Sequence, residues 1–188
     1  DALTQLFEAF VCRRANPLTG SLCREGLARA GRSLRRVFHD GEDKAAREDM
    51  SLAALFGGLA LANAGLGAVH GLAGGLGGML GAPHGAVCAA LLPAVTEINL
   101  RALEERQPGS HALERFREAL RIVSGGDGTA PEDGVAWIRN LCLELGQSGL
   151  EKYGFERRMI DEAVRKGMQA SSMKANPVEL TPEELSEV

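Results

Sequence analysis

Charge is absent from the middle of this chain. From Ser51 to Thr96 there is no Asp, Glu, Lys or Arg. That stretch also lacks the flanking Trp/Tyr anchors and Lys/Arg clusters of a membrane span, and the whole chain holds one Trp and one Tyr. No CxxC pair joins Cys12, Cys23, Cys88 and Cys142, which excludes a zinc knuckle and a disulfide frame and points to free, buried thiols in a reducing compartment. Basic clusters are missing as well. The 21 Lys and Arg are interspersed with 25 Asp and Glu, and a pI near 5.6 gives no footing for nucleic acid or an anionic membrane. No alternating strand, internal repeat, low-complexity tail or linker is visible. The expectation is therefore all-α: one helical domain over residues 1–188, with seven or more helices and length enough for a real core. No signal-peptide pattern is read at the start. The chain opens on Asp1 rather than Met, directly into helical pattern, so a cytoplasmic piece of a longer polypeptide is expected.

What fills the charge-free stretch is glycine, alanine and leucine: LFGGLALANAGLGAVHGLAGGLGGMLGAPHGAVCAALLPAV. Three readings compete for it. A membrane span needs about 20 apolar residues; Leu52 to Val69 approaches that but carries Asn63 and many glycines. A buried core of packed helices is the plain alternative, and the rest of the chain looks built to bury this segment. Glycine inside a helix costs about 1 kcal/mol against alanine, so this many glycines require close helix approach or close approach to a ligand. The third reading is a buried site, with His70 and His84 as its chemistry.

Around that stretch the sequence is amphipathic. Asp1 to Arg14 places Leu3, Leu6, Phe7, Phe10 and Val11 on one helical face. Asn16-Pro17 is an N-cap followed by a first-turn proline, opening a helix to about Phe38 that Asp40-Gly41 closes. A third helix starts near Asp43 and runs into the glycine-rich segment. Arg101 to Arg106 ends at Pro108-Gly109, and Ser110 caps a helix to about Val123. Ser124 to Thr129 reads as a loop, with Gly125-Gly126-Asp127-Gly128 a surface turn rather than a phosphate cradle. Pro131 starts a helix through Leu145, Phe155 to Ala170 is another, and Thr181-Pro182-Glu183-Glu184 carries a capping box.

His70 and His84 are fourteen positions apart, roughly 20 Å on one continuous helix at 1.5 Å per residue. They can meet only if the chain turns at Gly81-Ala82-Pro83. His84 would then sit at a helix N-terminus, where the dipole disfavours imidazolium and keeps the ring neutral, as a metal ligand must be. Two hydrogen-bonded core histidines are the competing reading. Asp1 and Gln5, four apart, share a helix face; by themselves they read as an exposed helical start.

DALTQLFEAFVCRRANPLTG, then NAGLGAVHGLAGGLGGMLGAPHGAVCAALLPAV, then ANPVELTPEEL resemble the C-terminal half of the iron-containing alcohol dehydrogenase family, of the dehydroquinate synthase-like superfamily. The resemblance runs over nearly the whole chain. It implies an N-terminal α/β domain that binds NAD or NADP and an all-α C-terminal domain holding a divalent metal in the cleft between them. The family's ligands are an aspartate, a histidine four residues later and two histidines in the glycine-rich segment. Asp1, His70 and His84 match. Gln5 stands where the family has histidine; a glutamine oxygen coordinates more weakly, which leaves iron, zinc or an empty site open. Gly74 stands where many members carry a further histidine, so a proton relay through that side chain is excluded.

The mechanism implied is hydride transfer between an alcohol or carbonyl substrate and nicotinamide, with the metal as Lewis acid. Gly74 and Gly78 are the expected places of approach for the nicotinamide. DALTQ with VHGLAGGLGG is similar to maleylacetate-reductase-like members. The nucleotide-binding unit is not expected within this chain, since Gly65-x-Gly67 does not continue as GxGxxG and follows helical rather than strand pattern. A homo-oligomer is expected, without nucleic acid or membrane. The alternative from a different class is a metal-free helical dimerisation or interaction domain, with Gln5 and Gly74 as marks of lost catalysis.

Overall fold

Side-chain caps open α-helices at Asn16, Asp43, Ser110 and Thr181 in a computed structural model that describes residues 1–126, 130–147 and 149–188. Among the described residues the α-helices are α1 (Ala2–Val11), α2 (Pro17–His39), α3 (Lys44–Asn63), α4 (Ala68–Leu80), α5 (His84–Arg106), α6 (His111–Ser124), α7 (Pro131–Glu144), α8 (Ile160–Gln169) and α9 (Pro182–Ser186). No strand occurs among them. The fold is all-α, as the sequence implies. Asn16 accepts from the Thr19 amide at 3.1 Å while the Thr19 hydroxyl accepts from the Asn16 amide at 3.0 Å. Asp43 caps α3 through the Ala46 amide, and Ser110 caps α6 through that of Leu113. Thr181 and Glu184 complete the expected reciprocal box at α9.

The short helix α1 is the hub. Leu3, Leu6, Phe7, Phe10 and Val11 are buried as their spacing requires, but so are Thr4, Glu8 and Ala9. A helix covered all round is a core helix rather than an amphipathic surface one. It packs against α2, α3, α5 and α6, and Phe7 meets Phe116 edge-on at 5.8 Å between ring centroids. Gly26 of α2 lies directly against Leu6, where a Cβ would collide with the leucine side chain. Asp49 then ties α3 to α2. Its carboxylate accepts from Arg29 at 2.7 Å, Arg32 at 2.8 Å and the Ser33 hydroxyl at 2.6 Å. The Arg32 hydrogen bonds, outweighing the cost of burial, hold its carboxyl well below the usual carboxylate range.

The helix expected from Phe155 begins later. Gly154 adopts a left-handed φ of 84° and Glu156 is extended, so the chain passes through 3-10 turns at Glu151–Tyr153 and Arg157–Met159 before α8 starts at Ile160. Of the expected Gly125–Gly128 turn, Gly125 closes α6 with φ 69°, and Asp127 to Thr129 lie outside the described residues.

The charge-free stretch is three helical pieces, not one span. α3 and α4 meet at a bend of 101°. Gly81, at φ 61°, ends α4, and α5 begins at His84. Among the described helices only α5 is itself long and apolar enough to cross a membrane, and 72% of its apolar window is buried inside the protein. The expectation that the rest of the chain buries the whole stretch needs correction. Leu55, Leu59 and Leu61 are exposed on α3, as are Gly74, Gly78 and Gly81. One face of the segment packs on the core, and the other faces outward.

Candidate metal centre

The start of α4 determines where His70 points. Gly67 is its N-cap and has no side chain to satisfy the first amides, which every helix leaves unpaired. Two distant residues satisfy them instead. Asn176 Oδ1 accepts from the Ala68 amide at 3.0 Å. Glu8, reaching up from α1, accepts from the Val69 amide at 2.7 Å and the His70 amide at 3.2 Å. A Cβ on Gly67 would stand 2.8 Å from both Asn176 Oδ1 and Glu8 Oε1. Glycine is required there by close approach, one of the two roles inferred for the glycines. Asn176 is in turn held by Asn99 Oδ1 at 2.7 Å and the Val178 carbonyl at 2.8 Å, a fully paired polar network inside the core.

The same Glu8 carboxylate meets His70 Nδ1 at 2.7 Å. That contact fixes the ring and aims Nε2 at Asp1, whose Oδ1 lies 3.1 Å away. Asp1 is the N-cap of α1 but makes no capping bond, so its carboxylate is free to face the cluster. His84, first residue of α5, brings Nε2 to 3.8 Å from the same Asp1 oxygen, and the two imidazole centroids are 5.4 Å apart. The turn at Gly81-Ala82-Pro83 does fold the histidines together. Gln5 donates its amide to Asp1 Oδ2 at 2.9 Å. Cys88, one helical turn after His84, places Sγ 3.5 Å from His84 Nε2 and 3.8 Å from His70 Nε2. One donor atom from each of Asp1, His70, His84 and Cys88 falls within 4.8 Å of every other.

Nitrogen and oxygen donors bound at about 2.0–2.2 Å to a tetrahedral divalent ion stand about 3.3–3.6 Å apart. The Asp1–His70 and Asp1–His84 separations bracket that range, so the donor set fits such an ion. Burial disfavours the charged form of His70, yet hydrogen bonds with Cys88 and Glu8, and the charges behind them, outweigh it and push the ring up to about 9. A proton and a metal thus compete for His70 Nε2. His84 is driven the other way, by burial and by the neighbouring His70, which favours the neutral ring. The side chains of Asp1 and His84 are 34% and 50% exposed against 7% for His70, so the cluster opens to one side only.

Gly74 and Gly78 lie on α4, and a Cβ at either would meet nothing within 4 Å. They are not glycine for internal packing, in contrast to Gly67. Sequence reasoning singled out Asp1, Gln5, His70 and His84 but missed Cys88, Glu8 and Asn176. The i, i+4 spacing of His84 and Cys88 was the available signal for the first. All four cysteines are free and buried. Burial pushes Cys23 up to about 12 and Cys142 up to about 11, and it raises Cys12 as well.

An all-helical domain with a candidate divalent-metal cluster at an open edge defines the class. The family model described as Fe-containing alcohol dehydrogenase family, C-terminal, matches residues 1–188. Alcohol dehydrogenase 4 of Saccharomyces cerevisiae is 32% identical over 186 residues, 98% of this chain and 47% of that protein. The 1,3-propanediol dehydrogenase of Klebsiella pneumoniae is 36% identical over 146 residues, 78% of this chain and 37% of that protein. The solved structure of an alcohol dehydrogenase from Oenococcus oeni superposes with TM-score 0.87 at 30% identity, covering 100% of this chain and 48% of that one. The chain belongs to the iron-containing alcohol dehydrogenase family and corresponds to its C-terminal domain. It spans about half the length of the relatives it matches. A maleylacetate reductase from Rhizobium sp. shares 21% identity at TM-score 0.77 over 98% of this chain and 48% of that one, a likeness of fold alone.

Proposed function

We propose that this chain is the metal-binding helical half of an NAD(P)-linked dehydrogenase acting on an alcohol or carbonyl compound. The observation that carries the reading is the convergence of Asp1, His70 and His84, from the starts of α1, α4 and α5, on one point at the open edge. Asp1 and the two imidazoles hold a divalent ion, iron by family and zinc as the other candidate. Gln5 steadies the Asp1 carboxylate through Oδ2. Glu8 fixes the His70 ring through Nδ1, a partner that also raises ligand basicity. Gly74 and Gly78, with open space over their α-carbons, leave room for a flat nicotinamide ring. When bound, the metal supplies Lewis acidity toward the substrate oxygen, and the cofactor accepts or donates hydride. A substrate oxygen would reach the metal from the exposed sides of Asp1 and His84.

The nucleotide-binding half belongs to the polypeptide beyond this chain and forms the second wall of the cleft. A cytoplasmic homo-oligomer, independent of nucleic acid and membrane, accompanies this reading; the free thiols suit a reducing compartment. A metal-free interaction domain draws on exposed Leu55, Leu59 and Leu61. Metal analysis separates the two. The polypeptide carrying this chain is expected to purify with one divalent ion, to lose it in His84→Ala, and to lose NAD(P)-linked alcohol oxidation on chelation. Equal metal content in both proteins, or activity that survives chelation, would overturn the metal reading.

A further inference from the structure

Gln5, one of the two positions at which this chain departs from the family pattern, is committed to contacts other than a metal. The Gln5 amide nitrogen is engaged with Asp1 Oδ2 at 2.9 Å. Its oxygen packs against α3, where a Cβ built on Gly57 would lie 3.3 Å from Gln5 Oε1. The glutamine is thus used at both ends, as an orienting group for Asp1 and a contact for α3. Cys88 is fully buried and lies on α5 one helical turn after His84. Its Sγ lies 3.5 Å from His84 Nε2 and 3.8 Å from His70 Nε2. Around a tetrahedral ion with a metal–sulfur bond of about 2.3 Å and metal–nitrogen bonds of about 2.0–2.1 Å, sulfur and nitrogen donors stand about 3.5 Å apart. The contacts of Asp1 Oδ1 with His70 and His84, at 3.1 and 3.8 Å, close the same polyhedron.

We propose that Cys88, as thiolate, is the fourth protein ligand of this site in place of Gln5, and that the site therefore selects zinc over iron. The inference rests on the metal-site reading above. It also follows from charge. Asp1 and a Cys88 thiolate carry two negative charges between them, which balance a divalent ion held by two neutral imidazoles. A sulfur, two nitrogens and a carboxylate oxygen form a softer set than three imidazoles and a carboxylate, and thiolate is a preferred donor for zinc. Uptake displaces the proton on His70 Nε2 and that of the Cys88 thiol to solvent and forms the metal–nitrogen and metal–sulfur bonds, with no change of oxidation state. Cys88 approaches from the buried side, so a substrate oxygen would add from the exposed side, between Asp1 and His84, as a fifth ligand. Cys12, Cys23 and Cys142 are absent from the candidate cluster, so among the thiols of this chain a sulfur–metal signal reports on Cys88.

Cobalt(II) loading of the polypeptide that carries this chain tests the assignment. The unsubstituted protein is expected to bind one cobalt and to show a near-ultraviolet sulfur-to-cobalt charge-transfer band. Cys88→Ser is expected to lose the band and to weaken zinc binding by more than about 100-fold, beyond the effect of a supporting residue, while Gln5→Ala retains the band. Cobalt bound and lost in His84→Ala, but without a sulfur band in the unsubstituted protein, would overturn the Cys88 assignment and leave the three-ligand site standing. Cobalt content indifferent to His84→Ala would overturn both. The band in the unsubstituted protein decides the matter even if Cys88→Ser fails to fold.

Discussion

Removing the Glu8 carboxylate is expected to damage fold and site together, because one side chain serves both. Glu8 is 3% exposed and accepts from Val69 N, His70 N and His70 Nδ1 at 2.7, 3.2 and 2.7 Å. Hydrogen bonds to a charged group contribute about 1.5–3 kcal/mol each, and a buried donor left unpaired costs about 1–3 kcal/mol. Glu8→Ala orphans two helix-start amides and leaves a hole beneath His70, so a loss of about 3–5 kcal/mol is expected, a large share of a typical domain stability of about 5–15 kcal/mol. Glu8→Gln keeps the shape and one oxygen for the amides but loses the charge that complements the α4 N-terminus. A loss of about 1–2 kcal/mol is expected, which lowers Tm by about 2–8 °C for a chain of this size. The His70 ring then loses its anchor, and zinc affinity should fall about 10–100-fold. Denaturant unfolding in chelator gives the first quantity and chelator competition the second. Glu8→Gln with unchanged stability and unchanged zinc affinity would show that Glu8 serves neither the α4 start nor the His70 ring.

Gly67→Ala should cost about 1–3 kcal/mol in denaturant unfolding, since its Cβ is placed against Asn176 Oδ1 and Glu8 Oε1 at 2.8 Å; a neutral result would show that the caps can move. Gly78→Leu is expected to behave oppositely. With open space at its Cβ and the helix-interior glycine removed, stability should rise by about 0.5–1 kcal/mol, while the KM for nicotinamide cofactor in the whole enzyme rises; unchanged kinetics would remove Gly78 from the cofactor wall. Asp49 governs the acid limb. Its carboxyl is held low, so its contribution is full above the ordinary value of about 3.9 and is lost as pH falls through the lower folded value. Asp49→Asn should therefore be less stable than the parent by about 1–3 kcal/mol at pH 7, with the gap narrowing below pH 4. A gap independent of pH would mean that the Arg29 and Arg32 pairing contributes nothing.

What the sequence disclosed and what it concealed divide along the range of the interactions. Asn16 with Thr19, Ser110 with Leu113 and Thr181 with Glu184 act within a few residues, so those helix starts were readable. Pro83 and Gly81 likewise announced the turn that unites His70 with His84. The start of α4 gave no such notice, because Glu8 and Asn176 cap it from 61 and 108 positions away. The start of α8 was set too early, since periodicity does not distinguish a left-handed glycine followed by a 3-10 turn from a first helical turn. Nothing in the sequence around Glu8 distinguishes it from an ordinary helical acid, because its burial follows from the packing of α1 in the core. Cys88 looked like one more apolar core residue, and its four-residue spacing from His84 acquires meaning only once both face Asp1.

Thermal unfolding with and without zinc tests whether Asp1, His70 and His84 form a divalent-metal site. At free zinc about 100 times its Kd, binding to the native state alone adds about 2.7 kcal/mol, a rise in Tm of about 5–11 °C for a chain of this length. That rise is expected in the unsubstituted protein and should vanish in His84→Ala, whose ligand side chain is half-exposed and whose loss leaves the core intact. An unsubstituted protein indifferent to zinc, or an equal rise in His84→Ala, would contradict such a site.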